Sequence, residues 1–116
     1  MRFDAYTFGS ITIDGERYEH DVIVDREIVR KRKKGPSKAL RNTYGHTPLS
    51  LAEDLPWDCR RLVIGTGASG SLPVLTEIED EARRRHVDLV ILPTVTAIDV
   101  LNRGMDGTNA VLHLTC

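Results

Sequence analysis

Leu62-Val63-Ile64-Gly65-Thr66-Gly67-Ala68-Ser69-Gly70, with Val74, Leu75, Ile78 and Ala82 behind it, is the stretch that decides the fold. Three apolar residues enter a glycine-rich turn, and the apolar positions beyond it recur at helical spacing to about His86, so the segment reads as strand, turn, helix. On the polar side of that helix Glu79, Asp80 and Glu81 each precede an arginine by four residues, at Arg83, Arg84 and Arg85. Such pairs support a helix, and acids early with bases late complement its dipole. Val87-Asp88-Leu89-Val90-Ile91-Leu92 is nearly all apolar and predicts a strand buried on both faces, as in a parallel sheet. Thr96 and Asp99 have capping-box spacing ahead of a second helix, with Ala97, Ile98, Val100 and Leu101 on it and Gly104 at its C-terminal cap. Ala110-Val111-Leu112-His113-Leu114 supplies a last strand. Strand, helix, strand, helix, strand makes the class α/β.

Upstream, Ser10-Ile11-Thr12-Ile13 and Glu16-Arg17-Tyr18 flank Asp14-Gly15, the dipeptide that best fits a two-residue hairpin turn with positive φ at both centres. An N-terminal β-hairpin follows, continuing through Val22-Ile23-Val24 to about Asp25. Arg30-Lys31-Arg32-Lys33-Lys34 ahead of Gly35-Pro36 reads as a solvated edge strand or loop, since five adjacent cations repel one another. Ser50 and Glu53 have capping-box spacing and predict a short helical turn that ends by Pro56.

With 116 residues the chain has the size of one domain, spanning 1–116, and its 41% apolar and 28% charged content is ordinary for a globular protein. Sixteen basic against 17 acidic residues leave a net charge of -1, which gives no overall attraction to nucleic acid or to an anionic membrane. Nucleic acid is therefore not expected as a partner. No apolar run approaches the roughly 20 residues of a membrane-spanning helix. Met-Arg-Phe-Asp-Ala-Tyr shows no secretory signal, and a cytoplasmic location is expected. Cys59 and Cys116 match no zinc or redox spacing; both read as reduced thiols, and no metal is expected.

Gly65, Gly67 and Gly70 spell the spacing of a dinucleotide fingerprint between strand and helix. Two details oppose that reading. Pro73 suits only the first turn of a helix, so the helix starts late, and the second strand ends in Pro93-Thr94 where the fold wants an acid for the ribose. Ser71 stands where a phosphate-binding loop needs lysine. No cofactor is expected; a small-anion site or a purely structural turn is left.

Ile64-Gly65-Thr66-Gly67, Pro93-Thr94 with Ala97 and Asn102, and Leu112-His113-Leu114-Thr115-Cys116 together resemble the Mth-nine-three-eight-like domain family, a family of unknown function, over nearly the whole chain. The resemblance implies a three-layer α/β fold with a mixed central sheet and an added β-hairpin layer. It implies no established catalysis; relatives act in respiratory-complex assembly and cell differentiation.

Open α/β sheets bind ligands beyond the carboxyl ends of their strands. The candidate site is accordingly Thr66, Gly67 and Ser69 of the turn with Thr94 and Thr96, joined by His46, Asp99 and Asn102. The bland alternative makes Thr96 and Asp99 helix caps, Asn102 a helix-end partner and His46 a loop residue. His113 and Cys116, three apart on a strand, point to opposite faces and do not form a catalytic pair. The expected role is a non-catalytic interaction or assembly-type module, with a protein partner or homo-oligomer. The alternative is a small-anion or metabolite-binding protein, or an enzyme, using the turn at 65–70.

Overall fold

A computed structural model describes residues 1–40 and 47–116. Among the described residues eight strands, β1 (Phe3–Thr7), β2 (Ser10–Ile13), β3 (Glu16–Tyr18), β4 (Val22–Asp25), β5 (Ile28–Lys31), β6 (Arg61–Thr66), β7 (Asp88–Leu92) and β8 (Thr108–His113), accompany two α-helices, α1 (Thr76–Arg84) and α2 (Thr94–Arg103), and a 3-10 helix at Gly35–Leu40. β1, β2 and β3 form a small antiparallel sheet. The central sheet has the order β5-β4-β8-β6-β7; β6 lies parallel to both β7 and β8, and β4 antiparallel to both β5 and β8. The fold is thus a small α/β fold with a mixed central sheet.

Alternation along the inner strands explains why they read as continuous apolar runs. Val63, Ala110, Leu112, Val22 and Val24 face a core shared with α2 and with Phe3, Ile11 and Ile13 of the small sheet. Leu62, Ile64, Val111 and Ile23 face the opposite core, shared with Ile78 and Ala82 of α1. Both faces are covered, so period-two polarity disappears.

Asp14 and Gly15 turn β2 into β3 with φ of +50° and +83°, as the sequence predicts. The continuation differs: β4 leaves the hairpin and joins the central sheet beside β8. A second two-residue turn follows at Arg26 and Glu27, with φ of +50° and +64°. Nothing in that dipeptide announces it. A distant side chain holds it, because the Arg26 N–H donates to Asn109 Oδ1 at 2.8 Å.

Three further expectations are corrected. β7 is an edge strand with half-exposed Leu89, Val90, Ile91 and Leu92, and is not buried on both faces. α2 begins at Thr94 with Pro93 as its N-cap, so Thr96 and Asp99 are exposed residues inside the helix and form no capping box. On α1 only Glu81–Arg85 follows the four-residue spacing; Asp80–Arg83 and Glu81–Arg84 close at three. Glu81 is held down at about 2 by hydrogen bonds from Arg84 and Arg85. Among the described residues no helix is long and apolar enough to cross a membrane, and no cluster of three or more His, Cys, Asp or Glu could hold a metal ion.

Candidate functional site

Because β6, β7 and β8 run parallel, their carboxyl ends meet at one rim, which two threonines tie together. Thr66 Oγ1 donates to the Leu92 carbonyl at 3.1 Å, joining β6 to β7. Thr94, fully buried, accepts the Gly67 N–H at 2.8 Å and donates to the His113 carbonyl at 2.6 Å, joining the turn to β8. A Cβ on Gly65 would lie 2.9 Å from Thr94 Oγ1 and 3.0 Å from Leu112, so only glycine lets α2 start against the strand. The rim therefore brings together Thr66, Gly67 and Thr94. Ser69 sits on the exposed tip of the turn, and Thr96 is exposed on the first turn of α2. Asn102 is about two helical turns from the rim, where it accepts the Phe3 N–H at 2.9 Å and donates to the Phe3 carbonyl at 2.8 Å. His46 lies outside the described residues.

The glycine turn is engaged from within. Gly67 has a φ of +102°, and a Cβ there would fall 2.1 Å from the Thr115 carbonyl oxygen. The Ala68 N–H donates to Thr115 O at 3.1 Å and the Ser71 N–H to Cys116 O at 3.2 Å. Those of Gly70 and Leu72 go to Gly67 O and Thr66 O. A dinucleotide cradle needs such amides aimed at phosphate from a helix N-terminus. Here the chain runs from Gly70 through a parallel bridge, Leu49 with Val74, before α1 starts at Thr76. The late start that Pro73 implies is what separates turn from helix.

Behind the rim lies a buried ionic network. Arg32, with a side chain 0% exposed, donates from Nε to Glu53 Oε1 at 2.8 Å and from Nη2 to Glu53 Oε2 at 2.9 Å. It also reaches the Pro48 carbonyl at 3.2 Å and Asp21 Oδ2 at 3.0 Å. Ser37 Oγ donates to Glu53 Oε2 at 2.6 Å and meets Ser50 Oγ at 2.6 Å. Asp21 takes the Leu114 N–H on Oδ1 at 2.9 Å, and His113 Nδ1 lies 2.7 Å from its Oδ2. Burial alone pushes the Asp21 carboxyl up, yet the His113 ring, the Leu114 N–H and Arg32 outweigh it and hold the group below its ordinary value. An ionised carboxylate only accepts, so Nδ1 carries the proton. Burial works against the Arg32 cation too, but Glu53 and Asp21 raise it above its ordinary value.

Two sequence readings change here. The basic run at 30–34 is not uniformly solvated: Arg32 is interior, and Arg30 reaches the Asp54 carbonyl at 3.2 Å. Ser50 and Glu53 cap no helix, because both side chains turn inward to Ser37 and Arg32. A cationic neighbour distant in sequence outbids a local cap, and no local pattern reveals that.

An imidazole with Nδ1 on a carboxylate has the orientation of a general base. Its Nε2, however, meets Thr115 Oγ1 at 3.3 Å, and the turn amides beside it already hold carbonyls. Every buried side-chain polar atom among the described residues has a partner. A fully satisfied network of this kind fixes loops to a sheet. The Cys59 thiol is pushed up, by burial first and then by Asp25 and Asp58, so it is no activated thiolate. No disulfide joins Cys59 to Cys116.

The sheet edges differ in protection. Asn102 grips the backbone of β1, β3 carries Glu16 and Arg17, and β5 carries Arg30 and Lys31. β7 carries only Asp88, at its first residue. A groove of about 350 Å³ runs beside it, lined by Leu89, Ile91, Val87, Ala82, Glu79 and Arg83. Val90 opens on the other face beside Val100 and Arg103.

The whole fold has solved counterparts. A conserved hypothetical protein from Pyrococcus horikoshii OT3, PH1505, is 25% identical with a TM-score of 0.79 over 100% of both chains. A protein named MT938 is 23% identical with a TM-score of 0.71, over 99% of this chain and 98% of that one. An outer membrane protein from Bartonella henselae shares the fold at 14% identity and a TM-score of 0.65, over 98% of this chain and 94% of that one. No curated protein matches. Residues 3–113 match the model of a family described as protein of unknown function (DUF498/DUF598). With that match and the MT938 architecture, the chain belongs to this family and has its Mth-nine-three-eight-like fold.

Proposed function

We propose that the chain is a non-catalytic interaction module whose docking surface is the open edge of β7. The observation that carries this reading is the contrast among edges: three are gripped or charged, and β7 leaves Leu89, Val90, Ile91 and Leu92 half-exposed beside a groove that Glu79 and Arg83 line together with apolar side chains. Backbone groups on an open edge accept a further strand, and alternate side chains give selectivity. The satisfied ionic network and the engaged turn support a structural role for the rest of the fold. Wild-type and Val90→Lys proteins, matched for fold by circular dichroism, test the reading as baits in native lysate. A partner, whether another protein or an untagged copy of this chain, retained by the first and lost by the second is the expected outcome; identical recoveries of both kinds refute it.

A second reading is favoured by one observation. The acceptors that close the glycine turn are the carbonyls of Thr115 and Cys116, and a small anion offers the same kind of acceptor to a backbone amide. Inorganic phosphate or a small carboxylate then raises the melting temperature, because ligand binding to the native state stabilises it. An unchanged midpoint across such a screen eliminates this reading.

A further inference from the structure

We infer that the occupant of the β7 edge is a second copy of this chain, its β7 antiparallel to the first about a two-fold axis at Val90. The inference rests on the docking surface proposed above and names its partner.

Register is the first argument. Successive side chains of β7 alternate between sheet faces, so Leu89 and Ile91 share the α1 face while Val90 lies on the α2 face. Antiparallel pairing about Val90 sets Leu89 against Ile91 of the second copy, and Val90 against its own equivalent. Apolar groups then oppose apolar groups in the three central pairs, with exposed Asp88 falling at each end of the seam beside Leu92 of the second copy, as a self-complementary two-fold interface requires of its centre. Any shift by one residue would set Leu89 and Ile91 against the opposite face.

Charge supplies the second argument. Glu79 and Arg83, one helical turn apart on α1, line the groove that holds Leu89 and Ile91. The two-fold that exchanges Leu89 with Ile91 also exchanges the ends of this groove. Arg83 of one copy, which pairs with Asp80 of its own helix at 2.6 Å, then also faces Glu79 of the other, twice over. A partner lacking this ordered pair meets a groove with one acidic and one basic end, whereas a second copy matches both. The five-stranded sheet doubles into one continuous sheet whose outer edges are the two charged β5 strands.

Sedimentation equilibrium on the full chain over a micromolar concentration series reads the result directly. Wild type is expected at twice the 13.0 kDa chain mass, and Val90→Lys at the chain mass with an unchanged circular dichroism spectrum. Glu79→Arg and Arg83→Glu singly each remove both symmetry-related pairs and weaken dimerisation by about four- to 25-fold, two- to fivefold for each exposed ion pair, and the double exchange restores it. A dimeric Val90→Lys protein, or a double exchange no better than the singles, overturns the inference. So does a monomeric wild type. If that monomer still captures a lysate protein that Val90→Lys loses, the docking surface stands and only the second copy is excluded; without such capture both fall.

Discussion

Arg32 shows how much one side chain can decide. Its guanidinium holds Glu53 and Asp21 in the interior, so replacing it with leucine strands two carboxylates. Removing one partner of a buried pair leaves an uncompensated charge, and Arg32→Leu is expected to lower the unfolding free energy by about 3–5 kcal/mol; urea denaturation measures it. Asp21 gives the network a direction in pH. Its folded-state pKa lies below the ordinary 3.8, so the stability it contributes is complete above that value and is lost as pH falls through the folded one. Asp21→Asn should flatten the acid limb of the stability profile below pH 3.8, and an acid limb as steep as that of wild type would show that Asp21 is not its source. At the rim, Gly67→Ala places a methyl against the Thr115 carbonyl at a φ of +102°. The left-handed φ alone is worth about 1–3 kcal/mol, and the overlap adds to it by displacing the Thr115 carbonyl, visible together as a lower melting temperature.

At the scale of elements, Thr94 joins the end of β6 to the end of β8. Thr94→Val keeps the shape but leaves the Gly67 N–H without its acceptor, and should destabilise by about 1–3 kcal/mol. The elements built on local chemistry were legible: β6, β8, α1 and the turn at Asp14-Gly15 all follow from periodicity and turn residues. Elements set by distant partners were not. The turn at Arg26-Glu27 depends on Asn109, 83 residues away. Ser50 and Glu53 turn from a cap to Ser37 and Arg32, and β7 reads as interior because half-exposed valine and leucine have the same letters as buried ones. Of the candidate site, the meeting of Thr66, Gly67 and Thr94 was legible from parallel strand order. Asn102 was misplaced because its two bonds to Phe3 span 99 residues. The Asp21–Arg32–Glu53–His113 network had no signal, since it is assembled from four separate parts of the chain.

For the molecule as a whole, the central sheet is common to both cores, so each strand that leaves it weakens both layers at once. Its middle strand, β8, pairs with β4 on one side and β6 on the other, and it follows both in the chain. Until residues 108–113 emerge from a ribosome, β4 and β6 have no common neighbour. Native topology therefore waits for the end of synthesis of this domain, and contacts of such long sequence separation close slowly. Nascent chains stalled before Thr108 should stay protease-sensitive and those released beyond it should become resistant, which makes the interval before β8 the time when a chaperone has most to hold.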